Sequence, residues 1–235
     1  MSEDFDSNAS EAAAPLWATQ SWLQERTLRT LAEVNDDCLQ LVCEQARAGG
    51  RSGVRAPLAA QPSAPAIAVP ALLAELRQPW CELDVAARRR AARCSYLLFD
   101  AGFTETRRWG STSERPAQDQ TAAVAAGAFF TLPRTVEVMR LVMTYAWHLA
   151  RSQSPAARLL LGMSPGCAEL IGTCTLRQVT QLAETHPHWL RPRWPERVSV
   201  WRELLRCASG SDAAALERIH HRGVQLLAAE VRAFM

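Results

Sequence analysis

An all-α fold is what this 235-residue chain predicts, and three observations carry that reading. Apolar residues recur at spacings of three and four over several long windows, as one buried helix face requires. Asp84, Thr131, Ser164, Thr175 and Ser211 each stand just before such a window, where a side-chain oxygen can accept from the free N–H groups of a first helical turn. No segment alternates polar and apolar residues over strand length, although Trp189 to Trp194 can pair briefly as an extended strand.

The elements follow in order. Residues 1–14 are acidic and polar and read as a disordered tail. Residues 15–48 read as an N-terminal helix, with Trp17, Leu23, Leu28, Leu31, Val34, Cys38, Leu41 and Val42 in its apolar stripe and Gly49-Gly50 as its stop. That stripe suits either a coiled-coil partner or a neighbouring helix of the same chain. Residues 49–69 are rich in Gly, Pro, Ser and Ala and read as a flexible linker. Residues 70–125 form a small helical region. A short helix follows Pro70 and ends before Pro79, and a second runs from the cap Asp84 to Phe99 with Gly102 as its stop. Arg88, Arg89, Arg90 and Arg93 give the second helix a basic face, read as a solvated charged face, with DNA or an acidic protein as the alternative. Residues 104–121 read as a polar loop.

Residues 126–235 carry the strongest pattern, with helices predicted near 132–153, 165–173, 176–185, 196–207 and 212–231. Thr131 caps the first, and Pro133 falls in its first turn, where a missing N–H costs little. Its apolar stripe is wider than one packed face needs. Met139, Val142, Met143 and Trp147 are therefore expected at a homodimer interface. Ser164-Pro165 opens the next helix, Thr175-x-x-Gln178 is a capping box for the third, and Ser211 caps the last.

Composition narrows the function classes. The chain is 48% hydrophobic and 21% charged, enough apolar material for a packed core. All 26 basic residues are Arg against 24 acids, a net charge of +2 that does not by itself announce a nucleic-acid binder. Seven Cys with no C-x-x-C spacing, no apolar leader and no run of about 18 apolar residues point to a reduced, cytoplasmic protein with buried thiols and no membrane span. His186, His188, His220 and His221 lack the Cys or acid that would complete a familiar metal set, so no cofactor is expected. Phosphate loop, nucleophile elbow and dinucleotide fingerprint are all missing. Ser164 in Gly162-Met163-Ser164-Pro165-Gly166 has no strand before it. The chain reads as a non-enzyme.

The run Leu161 to Thr185 resembles the core of FlhD, a subunit of the bacterial flagellar master transcription activator. The shared pattern is Leu161-Gly162, Ala168, Thr175-Leu176, Gln178 and Leu182-Ala183-Glu184-Thr185, without a gap. Weaker matches extend it over about residues 136–232: Tyr145 and Leu149-Ala150-Arg151 upstream, and Arg191-Pro192-Arg193-Trp194, Ser211 and Ile219-His220 downstream. The resemblance implies an α-helical subunit that dimerises through its long first helix and packs against a zinc-containing partner, FlhC. The heteromer binds promoter DNA. Zinc belongs to that partner, and flagellar and conjugative-element genes are both possible targets. This chain departs from the family in two places. Leu190 stands where FlhD has a Cys able to link two subunits, and the N-terminal half has no FlhD counterpart.

The candidate DNA contacts are Arg191, Arg193 and Arg197, which lie among Trp189, Trp194 and Trp201, with Ser211, His220 and His221 on the neighbouring helix. The competing reading of this basic group is a solvated face whose Trp stems sit in the core. For the whole chain the competing class is a helical adaptor that binds only other proteins.

Overall fold

The computed structural model describes residues 25–52, 69–110 and 127–232. Helix α1 spans Glu25–Ser52, α2 Ala71–Glu75, α3 Arg77–Glu82 and α4 Val85–Ala92. Strand β1, Phe99–Asp100, and the short helix α5, Thr106–Gly110, follow. Next come α6 (Thr135–Ser152), α7 (Ser154–Leu161), α8 (Pro165–Thr173) and α9 (Leu176–Thr185). A 3-10 turn at Pro187–Trp189 leads to β2 (Arg191–Pro192), α10 (Val198–Ser209) and α11 (Ala213–Arg232). The fold is all-α, and the only strands among the described residues are the two-residue pair β1 and β2. Among those residues no helix is long and apolar enough to cross a membrane. The expected tail 1–14, the start of the expected N-terminal helix with Trp17 and Leu23, and most of the linker and polar loop lie outside the described residues.

Helices α8 and α9 form where their caps dictate. Ser164 Oγ accepts from Cys167 N, and Thr175 with Gln178 makes a reciprocal capping box. Elsewhere tertiary contacts move the boundaries. Helix α1 continues through Gly49-Gly50 to Ser52, because a helical glycine costs only about 1 kcal/mol and does not by itself end a helix. Pro79 lies inside α3, in its first turn, where no intrahelical acceptor is lost. Thr131 does not cap α6. Its main-chain N–H and hydroxyl engage Gln45 of α1 at 3.1 and 3.0–3.3 Å, and the helix begins only at Thr135. Helix α7 is an element that the periodicity does not predict; Pro155 in its first turn and Gly162 at φ 62° after its end are its local signals. Ser211 does not cap α11 either: Ala215 N donates to Asp212 Oδ1 at 2.9 Å.

The largest departure is the helix expected to reach Phe99, which stops at Ala92. The cause is Asn35 of α1, fully buried. Its amide donates to Ala92 O at 3.2 Å and Tyr96 O at 3.0 Å, and its Oδ1 accepts from Leu98 N at 2.9 Å. These bonds replace the helical ladder with an extended segment, satisfying main-chain groups that would otherwise be buried unpaired. Leu97 N donates to Leu160 O, and β1 pairs antiparallel with β2, Phe99 opposite Pro192 and Asp100 opposite Arg191. The brief strand foreseen between Trp189 and Trp194 thus finds its partner in residues read as helix.

One apolar cluster runs from Leu31 in α1 to Leu227 in α11, so the core crosses residue 126 without a break. Helix α1 packs on α3, α4 and α6, so the described part of its stripe, from Leu28 to Val42, is an intrachain face. Helix α6 is wrapped by α1, α7, α8 and α9. Met139, Val142 and Met143 are each 0% exposed. This corrects the expected dimer face: the wide stripe is consumed by helices of the same chain. Trp147 is half-buried and also used internally, its indole donating to Cys174 O at 2.8 Å with Arg151 over its ring.

Candidate functional site

The structure divides the six predicted DNA contacts among separate places. Arg191 on β2 is half exposed, and its guanidinium lies 3.3 Å from Asp100 Oδ2 and 3.7 Å from Glu105 Oε1. Arg193 is 2% exposed. It donates to Leu97 O at 2.9 Å and to Leu161 O, and pairs with Glu230 of α11 at 3.2 Å. Its donors close the C-terminal end of α7 and anchor α11, so it has no open face for a phosphate. This corrects its assignment as a contact residue; it is a structural tie. Next to it, Trp194 takes φ 48°, and Gly162 is packed against Leu227 and the Arg193 guanidinium, so a Cβ at 162 would collide with Leu227. Arg197, at the start of α10, is exposed and has no side-chain partner among the described residues.

Ser211 and His220 do come together, and they do so around a cleft of about 580 Å³ between α4 and the α10–α11 turn. Arg90 and Arg93 line its opposite wall. Arg90 Nε donates to Ala208 O at 2.7 Å, in the last turn of α10, so the arginine both closes that helix end and is held in place by it. Arg93 is exposed, as is Arg89 one turn earlier, and neither has an ion-pair partner among the described residues. Arg88, by contrast, is tied to Asp36 of α1 at 2.7 and 3.1 Å. The α4 arginines were legible as a basic face. The positions three and four away from Arg89 and Arg93 hold no acid, but whether a distant acid reaches them, as Asp36 reaches Arg88, is decided by the fold. What no pattern shows is that Arg90 and Arg93 face Ser211 and His220, more than a hundred residues away.

His220 is half-buried, and its Nε2 is enclosed with no hydrogen-bond partner among the described residues. Burial pushes its pKa down, against the main chain of Ala91 and nearby Glu217, which push it up. His221 is exposed on the next position of α11 and does not line the cleft. Helix α11 can approach this closely because residue 223 is glycine: a Cβ there would run into the Tyr96 ring and hydroxyl. Asp212 and Glu217 bring negative charge to the same cleft. Asp212 is partly occupied, accepting from Ala215 N and lying 3.9 Å from Arg218.

The seven thiols are all free. Burial raises the pKa of Cys43 to about 11 and of Cys94 to about 12, and lifts Cys38 as well. Such thiols stay protonated at neutral pH and are poor nucleophiles. Among the described residues no group of three His, Cys, Asp or Glu is placed to hold a metal ion. Comparison of the chain with family models, with curated proteins and with solved structures gives no match, so the likeness to FlhD rests on the residues quoted above.

Proposed function

We propose that this chain is an FlhD-like subunit of a heteromeric transcription regulator, which acts with an FlhC-like zinc-binding partner on promoter DNA of flagellar or conjugative-element genes. The observation that carries the DNA contact is the basic edge of α4: Arg90 and Arg93 line the cleft with Ser211 and His220, and Arg89 and Arg93 are exposed with no ion-pair partner among the described residues. Phosphate contacts dominate nucleic-acid affinity, and they need charge that is not already neutralised. Arg197, and the part of Arg191 left exposed, are secondary contacts in this reading. Dimerisation through Met139, Val142 and Met143 is not carried forward, since those side chains are already buried.

With a net charge of only +2, the protein alone should bind DNA weakly and the complex tightly. The test is a gel shift of the co-expressed complex on its own promoter across a salt series. Replacing Arg89 and Arg93 together by Ala should lower the salt slope by about two, one per lost phosphate contact. The second reading is a protein-binding adaptor, favoured by the ion pairs that neutralise Arg134, Arg140, Arg202 and Arg222. A complex that assembles with its partner yet gives no DNA shift at any salt decides for the adaptor.

A further inference from the structure

We propose that the cleft between α4 and the α10–α11 turn binds a phosphate group, held between Arg90 and Arg93 on one wall and the first turn of α11 with His220 on the other. This names the ligand chemistry of the edge on which the DNA reading rests, and it stands or falls separately from that reading.

Four features converge. The cleft has a volume of about 580 Å³, room for a phosphate and part of what carries it. Arg90 is positioned by its bond to Ala208 O, which uses Nε and leaves the terminal nitrogens available. A guanidinium fixed in this way loses little freedom on meeting an anion and presents paired donors to its oxygens. Arg93 lies on the same wall, exposed and without a partner among the described residues. Facing them, His220 lines the other wall.

The start of α11 supplies the remaining donors. Asp212 satisfies Ala215 N, and Leu216 N bonds Asp212 O, while the N–H groups of Ala213 and Ala214 have no acceptor among the described residues. Free N–H groups at the positive end of a 20-residue helix complement an anion. The carboxylates of Asp212 and Glu217 set a limit on the ligand. They keep the cleft from being a general well of positive potential, so a bound anion needs direct bonds to Arg90 and Arg93. A phosphate, whose oxygens can accept from both guanidinium groups at once, meets that need better than chloride.

The phosphate can belong to a nucleic-acid backbone or to a free small molecule. The test titrates the full chain with inorganic phosphate against sodium chloride of matched ionic strength, following thermal unfolding and calorimetric heat. Wild type should gain stability from phosphate alone, and Arg93→Glu should weaken phosphate binding by at least about tenfold, as loss of a charge-assisted contact predicts. Because the Arg93 side chain is exposed and has no partner among the described residues, this variant should keep the wild-type circular dichroism. Arg90→Lys preserves the charge and loses the fork, and should bind with intermediate strength. No phosphate-specific stabilisation, or full binding retained in Arg93→Glu, overturns the proposal. The partner complex with duplex DNA then separates the two sources. A duplex shift weakened in parallel by Arg93→Glu assigns the cleft to the nucleic-acid backbone. Phosphate binding without a duplex shift keeps the cleft for a free phosphate ligand and removes the DNA reading. A duplex shift that Arg93→Glu leaves intact, with no phosphate binding, removes the cleft and keeps the DNA reading elsewhere.

Discussion

Around β2 the arginines are neutralised: Arg191 faces Asp100 and Glu105, and Arg193 is buried on two carbonyls and Glu230. Along the open side of α4 they are not: among the described residues Arg89 and Arg93 have no ion-pair partner, Arg88 pairs with Asp36, and Arg90 bonds a main-chain carbonyl. The two regions use the same side chain in opposite ways. A buried guanidinium must be fully bonded or it destabilises the fold, so burial at 193 consumes its donors. An exposed one keeps its charge for a ligand, at little consequence for stability. Arginine density along a sequence therefore does not locate a contact surface; the acids and carbonyls brought to it by the fold decide.

The sharpest way to break this comparison is Arg193→Met. It leaves Leu97 O, Leu161 O and Glu230 without their donor, and should cost roughly 3–5 kcal/mol in urea unfolding. A loss below about 1 kcal/mol would mean that the tie is not structural.

Acid should act next, and on the β2 side. His186 is stacked on Trp189 with ring centroids 4.2 Å apart, and Arg108 lies over the same indole. Burial, then His188 and Arg108, lower the His186 pKa from 6.5 to about 4. The unfolded chain takes up this proton near pH 6.5 and the folded one only near pH 4, so the stability is present above the first value and is lost as pH falls toward the second. His188 shifts in the same direction. Urea midpoints should fall across this window in wild type and less steeply in His186→Gln; equal slopes would show that His186 does not report the transition.

On the cleft side, Asp212→Ala should cost about 1 kcal/mol through loss of the α11 cap, whereas Ser211→Ala should cost almost nothing. The reverse order would restore Ser211 as the cap. Smallest of all, Arg89→Ala and Arg93→Ala should each change stability by less than about 0.5 kcal/mol. A larger loss would show that these arginines have structural partners and are not reserved for a ligand.

What could be read ahead of the structure follows the range of the interactions. Helices α8 and α9 were readable to the residue, because Ser164 and the Thr175–Gln178 pair act within one turn. Thr131 and Ser211 carry the same kind of signal and mislead. Gln45 draws the first away, and the second loses to Asp212, its neighbour in sequence. Of the candidate contacts, Ser211 and His220 line the cleft, Arg197 is exposed, and Arg193 is buried, though nothing in its surroundings in the sequence distinguishes it from Arg191.

The amino-acid sequence by itself determined an all-α fold with a packed core, since helical periodicity and caps are local and repeated along the chain. It also determined that Arg89 and Arg93 have no acid within helical reach. Only the tertiary structure decided that α4 ends at Ala92, through the distant Asn35, and that the Met139–Val142–Met143 stripe closes within one chain. It alone decided that Arg193 is buried and that α4 faces the start of α11. Each of these depends on partners tens to more than a hundred residues apart. Which of two similar arginines is desolvated is set by where those partners arrive, a quantity no local pattern contains.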